Sequence, residues 1–398
     1  MSSIKLPFSL VLMFATLGLV ATDIYLPSFP FIQSTFSTSK SLVQLSLSLY
    51  LFSLSLSQIV YGPISDRYGR RNVALISLAI GLAGTVLCLF APNIFTLIAG
   101  RFFQGLGFGA GATLGRAILR DVYSGNELAH FGSLIAIGTS IRMALAPILG
   151  GYIQLYLGWR YNFLFICIYT AIAFVAIWRK LPETHKELNV LAMRFKTFTE
   201  NYLHLLTSPV FMGYSCCAGL GFAGLSAYFA SSPYLFEKII GLSAVTYGWM
   251  ALFLALGLSV GGYCNKRLIP HLGKNRLLAL GTALLFLSGV LMWILALFGW
   301  INLSVILVPM FFYTFGLAMT FANSFAGAFH PFGKIAGFAG ALYSTLQILG
   351  GALATGIIAA TNEKNQIPLA IVCTIVGALA FFSQRMAFRS SAKADASH

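Results

Sequence analysis

The chain has 398 residues, of which 58% are hydrophobic and only 9% charged, and its formal net charge is +15. A soluble domain carries roughly 25% charged residues, so the composition excludes an ordinary soluble enzyme and points to a membrane protein. Segments that cross about 30 Å of hydrocarbon must satisfy their backbone groups internally, and the apolar runs are therefore read as helices.

Twelve spans are predicted, over 8–28, 40–61, 73–91, 94–116, 128–154, 160–178, 210–232, 243–264, 275–298, 300–325, 335–360 and 366–386. The first follows Lys5 in the manner of a signal peptide, but eleven further spans favour an uncleaved helix. A polar linker over 181–208 separates residues 1–180 from 209–398, giving six spans on either side. Within it, residues from Leu188 to Phe198 alternate apolar and basic side chains and are expected to form a short helix on the membrane surface. With both termini inside, 18 Lys and Arg fall on the cytoplasmic side and 4 outside (Lys40, Arg160, Lys238, Lys364), while Arg101, Arg116 and Arg142 lie within spans. The positive charge then belongs to loops facing an anionic leaflet, and no nucleic-acid partner is implied.

The six cysteines sit in or at the ends of apolar spans without C-x-x-C spacing, so neither a metal nor a disulfide is expected. The six histidines are in loops or at helix ends. Without H-E-x-x-H, a Gly-rich nucleotide loop or paired catalytic carboxylates, an intramembrane enzyme or an ATP-driven pump is disfavoured.

In chain order, the first notable stretch is "DIYLPSFP", with Asp23 near the end of the first span. Asp23 is read as the sole carboxylate well inside a span. Desolvation weighs against an ionised carboxyl group, so one reading has Asp23 take up a proton on one side of the membrane and release it on the other. The other reading has it pair with a buried arginine or cap a helix break before Pro27. After the second span comes "GPISDRYGRR" (62–71), in which Gly62 and Gly69 allow close approach and a tight turn, and Asp66 and Arg70 can pair with charges at neighbouring helix ends, Asp121 among them. "RFFQGLGFGAG" (101–111) lies in the fourth span, and Arg142 with "APILGG" (146–151) in the fifth. "GYCNKRLIPHLGKNR" (262–276) follows the eighth span as a degraded echo of 62–71, the mark of internal duplication.

"GPISDRYGRR" resembles the G-x-L-x-D-R-x-G-R-R loop that the major facilitator superfamily carries between its second and third spans. Arg101, Gln104 and Gly105 match that family's R-x-x-Q-G motif. Gly138, Pro147, Gly150 and Gly151 match its antiporter motif in the fifth span, where Arg142 and Ala146 replace two other glycines. "DIYLPSFP" together with "GFAGALYSTLQILGGA" (337–352) looks most like the Bcr/CflA branch of drug:proton antiporters. The resemblance implies an all-α membrane fold of two pseudo-symmetric six-helix bundles around a central cavity, working by alternating access as a monomer in the inner membrane. It implies no cofactor beyond the proton gradient, small amphipathic substrates such as drugs, and a latch of Gly62, Asp66, Arg67, Gly69, Arg70 and Asp121 that holds the outward-facing state. Some members of the branch carry a second acid one or two turns before Asp23, where this chain has Ala15 and Thr16.

Arginines deep in the bilayer are costly and should face a cavity or a partner. Arg101 and Arg142 outnumber Asp23, which makes an anion recognised by guanidinium groups a second substrate class, for example an organic acid or a carboxylate siderophore. The opposing reading makes Arg101 structural and Arg142 the counter-ion of Asp23. Arg116 is expected to reach lipid headgroups or Asp121. Further candidates for the substrate site are Gln104, Tyr50, Tyr228, Tyr313, Phe325, Asn323 and Gln347.

Overall fold

Apolar runs fold here as long helices that alternate in direction, in a computed structural model that describes residues 8–185, 195–361 and 364–396. In chain order they are α1 (Phe8–Asp23), α2 (Phe29–Thr35), α3 (Lys40–Tyr68), α4 (Arg70–Leu89), α5 (Ile94–Val122), α6 (Gly125–Tyr156) and α7 (Arg160–Lys180). They are followed by α8 (Phe195–Thr207), α9 (Pro209–Pro233), α10 (Ala244–Leu297), α11 (Leu303–Phe329), α12 (Ala336–Ala359) and α13 (Ile367–Ala396). No strand occurs among the described residues.

Ten described helical stretches are long and apolar enough to cross a membrane. One of them, α10, has 54 residues, roughly 80 Å of helix and more than two bilayer cores. Its backbone leaves helical geometry at Gly273 (φ 72°, ψ 162°), so it holds two spans joined by an elbow. The remaining long helix is α5, with 29 residues, whose Arg101, Arg116, Arg120 and Asp121 lower its mean hydropathy.

Several predicted boundaries move. The first span breaks at Asp23, passes through a 3-10 turn over Leu26–Ser28 and resumes as α2, because Pro27 and Pro30 cannot donate to the preceding turn. Helices α3 and α5 run on past the expected ends of their spans, since charged residues leave the lipid without ending a helix. The close pairs of spans are separated by capping asparagines: Asn93 accepts from Thr96 N at 2.9 Å and Asn302 from Val305 N at 3.0 Å. Of the expected surface helix, residues 188–194 lie outside the described residues, and the helix described there, α8, begins at Phe195.

Helices α1 to α7 pack chiefly on one another, as do α9 to α13, and the two sets meet along α3 with α12 and along α6 with α10. Ser48 donates to Ala352 O at 2.7 Å and Thr345 to Ser55 O at 3.1 Å across the first of these seams. The serines of α3 would be costly in hydrocarbon, but Ser53, Ser55 and Ser57 each donate to a carbonyl three residues back.

Helix α6 is wedged between two backbones. A Cβ on Gly150 would meet the Ile24 carbonyl in the break after α1, and one on Gly151 would meet the Ala244 carbonyl at the start of α10. Gly150→Ala is therefore expected to lower stability by about 1–3 kcal/mol through overpacking, whereas Gly262→Ala, with nothing within 4 Å of its Cβ, should be close to neutral. Thermal unfolding of the two purified variants checks the difference.

Candidate functional site

The end of α1 creates the problem around which the candidate site is built. A helix end leaves its last carbonyls unbonded and carries partial negative charge, and here it also carries the Asp23 carboxylate, buried at 1% exposure. One of these carbonyls, Ala21 O, takes its donor from another helix, and two further side chains add a second donor to carbonyls already bonded within α1. Tyr50 OH of α3 donates to Gly18 O at 2.5 Å, Arg142 Nη1 of α6 to Leu19 O at 3.0 Å, and Arg101 Nη1 of α5 to Ala21 O at 3.0 Å. Arg142 also forms an ion pair with Asp23 Oδ2.

Arg101 is wholly buried. Its guanidinium carbon lies 4.2 Å from the centre of the Tyr25 ring and 3.7 Å from that of Tyr50, a desolvated cation–π sandwich. Its Nη1 also donates to Gln104 Oε1, and Gln104 Nε2 donates to Thr85 Oγ1 of α4 at 2.8 Å. This chain ties α1, α3, α4 and α5 together. In this conformation the hydrogen bonds of Arg101, Gln104 and Tyr50 go to α1, to α4 and to each other within α5, while Nε and Nη2 of Arg101 are buried without one.

Among the cavities lined by described residues, none of the large ones includes Asp23. Beside Arg142, a gap of about 10 Å³ is lined by Leu26, Met143, Pro147, Tyr228 and Tyr247 among others, room for one water at most. Tyr228 is thus on this gap. Tyr313 is buried and donates to Gly221 O at 3.0 Å, and Asn323 donates to Asn265 Oδ1 at 2.6 Å and Met319 O at 2.8 Å. Both brace the second half internally, while Gln347 is half-buried on α12. Of the antiporter-type positions, Gly138 faces Leu12 of α1 and Gly150 faces Ile24, with Pro147 between them inside α6.

The large opening lies at the other end of the molecule. A cavity of about 700 Å³ is bounded by α5, α6, α11 and α12, with Arg116, Arg120, Phe325, Phe329 and Gly340 on its wall. Counting from Arg101, Arg116 lies roughly 22 Å further along α5. Its described hydrogen bond goes not to Asp121, one of its two expected partners, but to Ser344 Oγ of α12 at 2.7 Å. Asp121 is already engaged. Arg70 pairs with Asp66 four residues earlier and, through Nε, with Asp121 Oδ2 at 3.0 Å, and Thr184 Oγ1 donates to the same carboxylate oxygen at 3.2 Å.

The 62–71 loop thus closes on its own half. Gly69 (φ 90°) turns the chain, and Glu183 accepts from the backbone of Arg70 at 2.8 Å and Arg71 at 3.1 Å, capping α4. Arg67 rests on the Tyr68 ring, and Gly62, Asp66 and Arg70 border a smaller cavity of about 360 Å³ shared with Tyr202 and Phe338. Sequence reasoning missed Glu183, Arg120, Phe329 and Ser344. The pairs Arg116/Arg120 and Phe325/Phe329, each four apart and so on one helix face, were the available sign. Glu237, beyond the predicted end of the seventh span, is half-buried in a π-helical extension of α9 within a membrane-capable stretch, its Oε1 without a hydrogen bond.

Residues 9–355 match the family model for the Major Facilitator Superfamily. The chain belongs to that superfamily. This transporter is 32% identical over 381 residues to Multidrug resistance protein D of Escherichia coli, covering 95% of this chain and 94% of that one. It is 25% identical over 385 residues to the Bicyclomycin resistance protein homolog of Haemophilus influenzae, covering 92% and 94%. Such relatives support the drug:proton antiporter branch of the superfamily. The xylose transporter XylE from E. coli shares the fold, with a TM-score of 0.74 at 14% identity over 96% of this chain and 97% of that one. The family is one of transporters, which removes the enzyme alternative, and these drug-resistance relatives lend no support to a siderophore.

The ion pair and the sandwich differ in how they answer to mutation. Asp23→Ala strands a buried guanidinium and is expected to cost about 3–5 kcal/mol, much of which returns in the Asp23→Ala/Arg142→Met double variant. Arg101→Lys keeps the charge but loses the planar stack on Tyr25 and Tyr50, and should cost about 1–2 kcal/mol. Unfolding midpoints of the variants, compared as a double-mutant cycle, test both statements.

Proposed function

We propose that this transporter is a proton-coupled exporter of small amphipathic molecules, which alternates access to a central cavity as its two halves rock. The observation that carries the reading is the Asp23–Arg142 pair, joining α1 to α6 at the end of the molecule opposite the open cavity. The excess of Lys and Arg at the end holding the 62–71 loop supports a cytoplasmic assignment for that end, and with it a cytoplasmic opening and an inner-membrane location with both termini inside. In this conformation the pair is sealed, so its proton has to come from the opposite side after the halves rock the other way. Protonation of Asp23 removes the charge that holds Arg142, and the α1–α6 contact weakens. Release of the proton to the cytoplasmic opening as the halves rock back restores the pair, and with it the seam that α6 makes with α10 at the closed end. A conformational change is thereby tied to one proton at one carboxyl group, and the gradient does the work.

A purely structural brace is the competing reading, supported by the carbonyl contacts that Arg142 and Arg101 make with α1. The two separate on reconstitution into proteoliposomes. With Asp23→Asn, proton-driven transport is expected to fall to the rate seen without a gradient, while substrate counterflow, which needs no net proton movement, persists. Undiminished gradient-driven transport would sink the coupling role, and joint loss of both activities with a lowered melting temperature would favour the brace. Glu237→Gln is expected to retain coupling in the same assay.

A further inference from the structure

The 700 Å³ cavity has a chemical character that neither the family nor the ion pair at Asp23 accounts for. Its charged lining residues are Arg116 and Arg120, with no carboxylate among the described ones. These arginines sit four residues apart on α5, where like charges repel, and neither makes an ion pair among the described residues. The nearby acids Asp66 and Asp121 pair with Arg70, and Asp66 borders with Arg120 only the smaller adjoining cavity. Arg116 spends one donor on Ser344 and keeps the rest of its fork for the cavity, into which its side chain is exposed.

Facing the arginines is an aromatic wall. The rings of Phe325 and Phe329 stack with centroids 4.2 Å apart, and Tyr343 meets both edge-on at 5.7 and 5.8 Å. Phe325 is 46% exposed, unusual for a phenylalanine between helices. A ring face alone would also suit a cation, but two guanidinium groups without an ion pair of their own among the described residues oppose one.

We propose that this cavity is a binding site for aromatic carboxylates, the ring lying on Phe325 and Phe329 and the carboxylate in the fork of Arg116, with Arg120 adding its field. This deepens the export reading, on which it rests for the cavity's place in transport. Ligand at Arg116 competes with Ser344 Oγ for the guanidinium and so loosens a bond between α5 and α12, which belong to different halves. Occupancy would thereby bear directly on the seam that has to open and close.

Isothermal titration of the purified protein in phosphatidylcholine nanodiscs, with no proton gradient, tests the proposal using naphthoate, naphthamide and naphthylmethylammonium. Naphthoate is expected to bind at least about tenfold more tightly than the amide, the worth of a charge-assisted pair, and the ammonium most weakly. Arg116→Gln should erase the preference for carboxylate over amide. Arg120→Gln, which breaks no contact given by the structure, should reduce it, so the outcome does not hang on one variant folding. Phe329→Leu should weaken naphthoate while keeping the ratio. Equal binding of the three compounds, or a preference that survives in both arginine variants, overturns the proposal. In the Asp23→Asn protein the overall affinity can change with the balance between conformations, but the ratio of naphthoate to naphthamide should persist, so failure here and failure of the coupling reading are told apart.

Discussion

A helix that stops inside a low-dielectric protein has to find donors for its last carbonyls, and much of the first half of this transporter is arranged around that need. The prolines after Asp23 force the stop. Arg101 answers it at Ala21 O, Arg142 and Tyr50 add second bonds to the carbonyls of Leu19 and Gly18 one turn back, and the sandwich of Tyr25 and Tyr50 makes the burial of Arg101 tolerable. An acid at the negative end of a helix dipole is unfavourable without a counter-ion, so Asp23 and Arg142 depend on each other more than a surface pair would.

That dependence separates two tasks along the length of the molecule. At one end lie charge pairing and close backbone contact, with α6 pressed against Ile24 and Ala244 through Gly150 and Gly151. At the other lies a wide cavity with exposed arginines and aromatic rings. The two ends are connected by continuous helices, α5 above all, which carries Arg101 to the first and Arg116 to the second. Communication between them needs no pathway of side chains if the helices move as rigid bodies.

The helical fold was legible because a span is a local property: length and apolar composition suffice, and the turn at Gly69 and the caps at Asn93 and Asn302 are written in single residues. Breaks inside spans were less so. Pro27 was noticed, yet the resumption of helix at Phe29 depends on packing against α3 and on the Ser28 hydroxyl accepting from Asn162, which no local pattern contains. The roles of the arginines were legible only as alternatives. Depth in the bilayer says that Arg101 needs partners, but whether these are carbonyls, rings or a ligand is decided by helices remote in sequence. Arg116 was misjudged for the same reason, since its partner Ser344 is 228 positions away.

The two halves turn at equivalent places on glycines of like backbone geometry, Gly69 (φ 90°, ψ 149°) and Gly273 (φ 72°, ψ 162°). The bend is common to both halves, but the clasp is not. Around Gly69, Arg70 gathers Asp66, Asp121 and Ser65, whereas around Gly273 the described polar contacts involve no carboxylate: Asn265 with Asn323, Tyr214 with Asn275 and Arg267 with Tyr263. One copy is thus built as a stiff lever and the other as the compliant arm, so that when the molecule flexes the deformation gathers in the second.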